Sequence, residues 1–170
     1  MRFASLIAPG ASVLDVACGS GRHLHALAGR GLRLHGVDRD GAALQGLRDV
    51  AEVLVADLEA EPWPYRDQRF DALIVTRYLW RPLFPALLDA LAPGGVLIYE
   101  TFALGQHTVG RPRNPDFLLR PGELLERVHG HLRVVAFEDG FTAQPAPAFV
   151  QRVCAVAPGV GGPAHPKYNL

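Results

Sequence analysis

A chain of 170 residues suits one domain, and with 49% apolar residues it can bury a real core. Its 17 basic and 17 acidic residues cancel, so the basic excess that phosphate neutralisation demands is missing and no nucleic-acid partner is expected. No stretch reaches the roughly 18–20 uncharged apolar residues of a membrane helix, and the opening MRFASLIAPGAS carries too short an apolar run for a secretory signal; cytoplasmic residence with no membrane partner is the expectation.

The predicted elements alternate from the start. Ser12–Ala17 (SVLDVA) is a short strand, and Gly21–Arg30 follows as a helix with Leu24, Leu27 and Ala28 at helical spacing, bracketed by Gly29 and Gly31. Leu32–Val37 alternates as a strand. Asp40 caps a helix expected to run to about Val50, with Leu44 and Leu47 inward. Ala51–Ala56 is a third strand, Asp57–Arg69 a polar loop, and Phe70–Thr76 (FDALIVT) a near-continuously apolar strand of the kind found at the centre of a parallel sheet. Pro82–Leu91 repeats leucine every four residues as a helix. Pro93-Gly94-Gly95 is a turn and Val96–Phe102 a fifth strand. Ala103–Arg120 has no period and reads as a long loop, a class that is usually functional or disordered. Pro121–His129 is a helix, Leu132–Glu138 and Phe149–Val156 are the last strands, and residues 158–170 form a Gly/Pro-rich tail expected to be loose. The alternation predicts one α/β domain over residues 1–157, a mostly parallel, doubly wound sheet with helices on both faces.

The informative segment is Val13-Leu14-Asp15-Val16-Ala17-Cys18-Gly19-Ser20-Gly21, a strand that ends in a glycine turn and opens a helix. Glycines there let backbone approach a ligand, and a helix start offers free N–H groups. A dinucleotide fingerprint would place Gly or Ala where this chain has Leu24, which disfavours a nicotinamide-dependent reductase. Two more acidic residues end the next two strands. Asp38 in Gly36-Val37-Asp38 can accept hydrogen bonds from both hydroxyls of a ribose. Asp57 in Val55-Ala56-Asp57 can accept from an exocyclic amine while the Leu58 N–H donates to a ring nitrogen. Ligands of open α/β sheets bind outside the carboxyl ends of the strands, where all three acids fall.

VLDVACGSG, followed by GVDRD, VADLE, FDALIVTRYLW and LAPGGVLIYETF, resembles the class I S-adenosylmethionine-dependent methyltransferases over Val13 to Phe102. The resemblance implies a Rossmann-like seven-stranded sheet of order 3-2-1-4-5-7-6 with strand 7 antiparallel. It implies S-adenosyl-L-methionine as cofactor, leaving as S-adenosyl-L-homocysteine. Asp15, Ala17, Cys18, Gly19 and Gly21 would shape its methionine side, Asp38 with Arg39 the ribose, Asp57 with Leu58 the adenine, and Thr76 would sit near the sulfonium. A Gly-Arg-His helix start and the brevity of the chain are most similar to small bacterial tellurite-resistance and thiol-methylating members, and Val109–Leu125 resembles a stretch of small bacterial members. Thr76-Arg77-Tyr78-Leu79 departs from the Asn/Asp-Pro-Pro-Tyr/Phe signature of amine-directed relatives, and only eleven residues precede the first strand. The pocket is then open, or covered by Ala103–Arg120 or by a second subunit, and the chain is expected as a monomer or homodimer.

Several residues keep two readings. Arg22 either pairs with the cofactor carboxylate or is a solvated helix-start charge, and His23 either lines the cofactor pocket or packs. His23 and His25, two apart on a helix, point apart and cannot share a metal, and Cys18 and Cys154 read as small apolar fillers, so no metal is expected. Asp15 reads as an architectural anchor for the glycine loop. Tyr78 and Trp80 either contact substrate or belong to the core. Glu100 is either a base or a pin for a backbone N–H. Arg77, Arg81, Arg111, Arg113 and Arg120 are either solvated charges or an anion-reading mouth, with Ala103–Arg120 closing over a small-molecule substrate. A thiolate or chalcogenide acceptor needs no base, whereas a hydroxyl would call on Glu100, His107 or Tyr78. An accessory, cofactor-binding subunit with little turnover is the competing reading.

Overall fold

The computed structural model describes residues 3–160 and Tyr168; the rest of the expected tail, 161–167 with 169 and 170, lies outside the described residues. The strands are β1 (Ser12–Val16), β2 (Arg33–Asp38), β3 (Glu52–Val55), β4 (Phe70–Thr76), β5 (Leu91–Phe102), β6 (Arg133–Thr142) and β7 (Ala148–Val156). They form one seven-stranded sheet of order β3-β2-β1-β4-β5-β7-β6. β1 to β5 pair in parallel, and β7 runs antiparallel to both β5 and β6, the order that the resemblance implies.

The central strands are fully or almost fully buried because alternate side chains feed two cores. Leu14, Val16, Leu73, Val75, Leu97 and Tyr99 face one layer, with Phe84 and Leu87 of α3 (Phe84–Asp89) and Leu124 and Val128 of α5 (Glu123–Val128). Val13, Ala72, Ile74 and Val96 face the other, with Leu24 and Leu27 of α1 (Arg22–Leu27), Leu44 of α2 (Gly41–Leu44) and Leu47. Period-two alternation thus gives a β-branched strand two apolar faces and fixes its register.

Several boundaries differ from the sequence expectation. Asp40 does cap α2, its Oδ1 accepting from the Ala42 and Ala43 N–H groups at 3.0 and 3.2 Å. The α-helix nevertheless stops at Leu44 and continues as a 3₁₀ turn, Gln45–Leu47, instead of reaching Val50. Gly46 within that turn favours no helix, and Leu47 is buried without one. β5 begins at Leu91, not Val96, and its register against β4 shifts at the Pro93-Gly94-Gly95 turn. β6 extends to Thr142, beyond Glu138, because its outer half pairs only with β7, and such a hairpin needs no buried face.

The long loop is the largest correction. Residues 103–120 contain α4 (Gln106–Val109) and a 3₁₀ turn, Pro115–Phe117. Their ends meet: Ala103 bridges Leu119, the Leu104 N–H donates to the Leu119 carbonyl at 2.9 Å, and the Leu119 N–H donates to the Phe102 carbonyl at 2.9 Å. The segment is a compact Ω-like excursion closed at its base. No apolar period announces it because only Ala103, Gln106, Leu118 and Leu119 of its residues are buried.

Candidate functional site

The carboxyl ends of β1, β2 and β4 and the turn after β3 converge on one cleft of about 260 Å³, whose walls include Ala17, Asp38, Asp57, Leu58, Arg77 and Tyr78. The glycine turn is wound for close approach. Ala17, Gly19 and Gly21 all have positive φ (52°, 53° and 73°), and a Cβ on Gly19 would meet no atom within 4 Å. The space above Gly19 is therefore open, and it is the absence of a side chain that keeps it so. Gly21 has a different reason: a Cβ there would lie 2.4 Å from a Leu47 methyl, so it sets how closely the turn packs on the layer beneath.

Asp38 ties this turn to β2. Its Oδ2 accepts from the Gly19 N–H at 2.8 Å and its Oδ1 from the Asp40 N–H at 2.9 Å. The anchoring role expected of Asp15 is thus performed by Asp38. Asp15 is 1% exposed and its Oδ2 has no hydrogen-bond partner among the described residues. The nearest basic atom is His23 Nδ1 at 3.6 Å, beyond hydrogen-bond reach, and the same nitrogen lies 3.5 Å from Thr76 Oγ1. Burial raises the Asp15 pKa, with His23 opposing it. A buried acceptor left unmatched beside an open glycine turn suits a ligand that brings a cationic N–H group.

Asp57 Oδ1 accepts from the Glu59 and Ala60 N–H groups at 3.0 and 3.3 Å and so shapes the turn after β3. Leu58 is buried beside it. The Tyr78 hydroxyl is buried and unpartnered among the described residues, its carbonyl accepts from Tyr99 at 2.9 Å, and burial, reinforced by Glu59 and Asp57, pushes its phenol far up. It is a neutral donor, not a base, at ordinary pH. Burial likewise pushes the Cys18 thiol up to about 12, with Asp15 and Asp38 adding to it, so this half-buried thiol is uncharged and inert. Arg22 is exposed, within 3.3 Å of His23 Nε2, and Arg39 lines the cleft beside Asp38.

A second cavity, of about 220 Å³, adjoins the first across Arg77 and lies between the end of β5, the loop and the β6–β7 hairpin. Arg77 has φ 55° and donates its N–H to the Glu100 carbonyl at 2.9 Å. A left-handed arginine costs about 1–3 kcal/mol, and such strain concentrates at functional sites. Glu100 also lines this cavity, but its carboxylate is engaged by Arg152, which reaches Glu138 at 3.1 Å as well. His107 is exposed on α4 and lines neither cavity, and Trp80 packs against the core.

The five arginines divide. Arg81 is structural: it grips both carboxylate oxygens of Glu123 at 2.8 and 2.9 Å and donates to the Asp116 and Leu118 carbonyls at 2.6 and 2.9 Å. Arg120 lies 3.6 Å from both Glu123 and Glu126. Neither belongs to an anion-reading mouth. Arg77 and Arg111 line the second cavity, while Arg113 lies in a separate hollow made by the loop itself.

Three residues that sequence reasoning passed over hold this side together. Glu123 is fully buried; burial alone would raise its pKa, but Arg81, the Arg120 N–H and Arg127 hold it at about 2. Gln106 donates to the Arg111 carbonyl at 2.9 Å and accepts from the Phe149 N–H at 2.9 Å. Gln151 accepts from the Leu124 N–H at 2.9 Å and donates to the Arg120 carbonyl at 2.5 Å. Each links segments distant in sequence, and no local pattern marks them. Among the described residues no cluster of His, Cys, Asp and Glu could hold a metal, and no helix is long and apolar enough to cross a membrane.

Residues 13–95 match the family model of a methyltransferase domain. No curated protein matches the chain. Solved structures that share the fold include TehB from Haemophilus influenzae (TM-score 0.74, 17% identity, 91% of this chain against 59% of that one). Others are an S-adenosylmethionine-dependent methyltransferase from Methanosarcina mazei (0.73, 14%, 94% against 98%) and the N-methyltransferase NodS from Bradyrhizobium japonicum (0.71, 16%, 92% against 93%). The chain thus spans about three fifths of the length of TehB and nearly the whole of the other two. The glycine turn, the strand-end acids and the 3-2-1-4-5-7-6 sheet thus sit in a chain whose residues 13–95 match a methyltransferase domain and whose fold is that of solved S-adenosylmethionine-dependent methyltransferases.

Proposed function

We propose that this chain binds S-adenosylmethionine in the cleft at the ends of β1 to β4 and transfers its methyl group to a small-molecule nucleophile in the adjoining cavity. The observation that carries this reading is the buried Asp15 Oδ2, left without a hydrogen bond in the strand that leads into the open glycine turn, because an unmatched acceptor there suits a ligand that brings a cationic donor. The α-amino group of the cofactor is such a donor. Asp38, already oriented by the Gly19 and Asp40 N–H groups, offers its remaining lone pairs to the ribose. Asp57 and the Leu58 N–H address the adenine. Thr76 and Tyr78, at the end of β4 and just beyond it, flank the methyl group.

When bound, the cofactor supplies an activated methyl on a sulfonium with an excellent leaving group. The residues of this chain then contribute positioning and exclusion of water. The Tyr78 hydroxyl donates without accepting a proton, and Glu100 stays engaged by Arg152. That arrangement favours an acceptor that is nucleophilic without a strong base, a thiol, chalcogenide or carboxylate over an alcohol. We further assign residues 1–157 to this one catalytic domain.

Calorimetry with S-adenosylmethionine and S-adenosylhomocysteine tests the cofactor, with micromolar affinity, about −8 kcal/mol, expected. Tight NAD or NADP binding with none of the adenosyl ligands would end the proposal. Methyl transfer from labelled cofactor to a panel of thiols, chalcogenides and carboxylates tests turnover. Tight cofactor binding without transfer to any of them would leave an accessory, cofactor-binding subunit.

A further inference from the structure

The second cavity has a composition that the cofactor cleft does not explain. Arg77, Arg111 and Arg152 line it together, and Glu100 is the only carboxylate among its lining residues. Arg152 is already matched by Glu100 and Glu138, which leaves Arg77 and Arg111 as the unmatched cations of the lining. Among the described residues neither Arg77 nor Arg111 makes an ion pair. Both are held in place through their backbones: Arg77 by its bond to the Glu100 carbonyl, Arg111 by the buried Gln106 amide on its own carbonyl. Phe102, Pro145, Pro147 and Val150 add apolar surface to the same lining.

Resting on the proposed methyl transfer, we infer that the acceptor is a small organic carboxylate with an apolar body, its anion read by Arg77 and Arg111 and its body laid on the hairpin residues, one carboxylate oxygen forming the new O–CH3 bond as the S–CH3 bond breaks and S-adenosylhomocysteine leaves. A bidentate guanidinium–carboxylate contact is geometrically specific and roughly twice as strong as a neutral hydrogen bond. Two such cations lining one half-enclosed cavity repel each other until an anion enters. The prolines of the hairpin present apolar surface at little cost in side-chain entropy. An inorganic anion would satisfy the arginines and leave that surface wet, whereas an uncharged aromatic would do the reverse. The pairing of cations with apolar surface selects an amphipathic anion over either.

Calorimetry on the full chain saturated with S-adenosylhomocysteine tests this, with benzoate as the anionic probe, benzamide as its neutral counterpart and inorganic phosphate as an anion without an apolar body. Benzoate is expected to bind at least tenfold more tightly than either. Arg111→Gln should weaken benzoate by tenfold or more, because its backbone anchor is kept, while S-adenosylhomocysteine affinity stays within twofold. Arg77→Gln should weaken benzoate similarly. Equal binding of benzoate and benzamide, tighter binding of phosphate, no benzoate binding, or an Arg111→Gln variant that binds benzoate normally would overturn the inference while leaving the cofactor reading intact. Failure of S-adenosylhomocysteine to bind would instead overturn the reading on which it rests.

Discussion

The two cavities at the carboxyl edge of the sheet are built in opposite ways. The cleft proposed for the cofactor is made of backbone turns and strand-end carboxylates, each placed by the strand it terminates, and Asp38 reaches only to the neighbouring strand for its Gly19 contact. The cavity proposed for the acceptor is assembled from the end of β4, β5, the loop and the β6–β7 hairpin, segments held together by a few buried polar side chains. The first is a property of the fold and the second a property of particular long-range contacts. The cofactor side should therefore tolerate damage to the acceptor side, and stability should depend on the clamp more than on the cleft.

The harshest test of that contrast is Glu123→Ala. It leaves Arg81 and Arg127 without their shared buried carboxylate, and breaking a buried ion pair costs about 3–5 kcal/mol. Denaturant unfolding should show a loss of this size, and a loss under about 1 kcal/mol would mean that the clamp is ornamental. The same carboxylate makes a pH prediction. Glu123 is held at about 2, below its ordinary value of 4.5. Its contribution is therefore fully present above pH 4.5 and disappears as the pH falls towards 2. The stability gap between the wild type and Glu123→Gln should be constant from pH 7 to pH 5 and narrow below that. A gap unchanged at pH 3 would contradict the assignment.

Asp38→Ala addresses the other side. Removing charge-assisted hydrogen bonds, about 1.5–3 kcal/mol each, should lower cofactor affinity tenfold to several-hundredfold in calorimetry, with the far-ultraviolet circular dichroism unchanged. An unaltered affinity would place the site elsewhere. The smallest change in cofactor affinity is expected from Arg111→Ala combined with Arg113→Ala, within about 0.5 kcal/mol. The same double variant should lose about a hundredfold in methyl transfer, since a misplaced substrate costs that much. A double variant with full turnover would shift specificity to Arg77 and Tyr78.

The same contrast explains what was legible in the sequence. The glycine turn, Asp38 and Asp57 could be read because each is a local sign, an acid or glycine at the end of an apolar strand, and the topology followed from alternation. Asp15 was read as the anchor of the glycine loop, while the Gly19 N–H is held by Asp38, because sequence shows where an acid stands and not which N–H group it faces. Arg81 kept the readings of a solvated charge and of an anion reader because its partner Glu123 is recruited from α5, 42 residues on. Gln106 and Gln151 carried no sign at all, since a glutamine that pins two distant backbones looks like any surface glutamine. The loop seemed shapeless because its order comes from its base, where Ala103 meets Leu119, and not from a repeating apolar face.

That closed base has a consequence for how such an enzyme changes over generations. The joints of the excursion are Gln106 at one end and Leu118, Leu119 and the Arg81–Glu123 clamp at the other. Residues 107–117 between them are almost all exposed, and the bonds that tie them to Gln106 and Arg81 are accepted by the Arg111 and Asp116 backbone carbonyls. They can be rewritten while the joints stay, as a key is recut on the same blank. A transplant of residues 107–117 from one such enzyme to another should carry substrate preference with it and leave the unfolding midpoint of the recipient nearly unmoved.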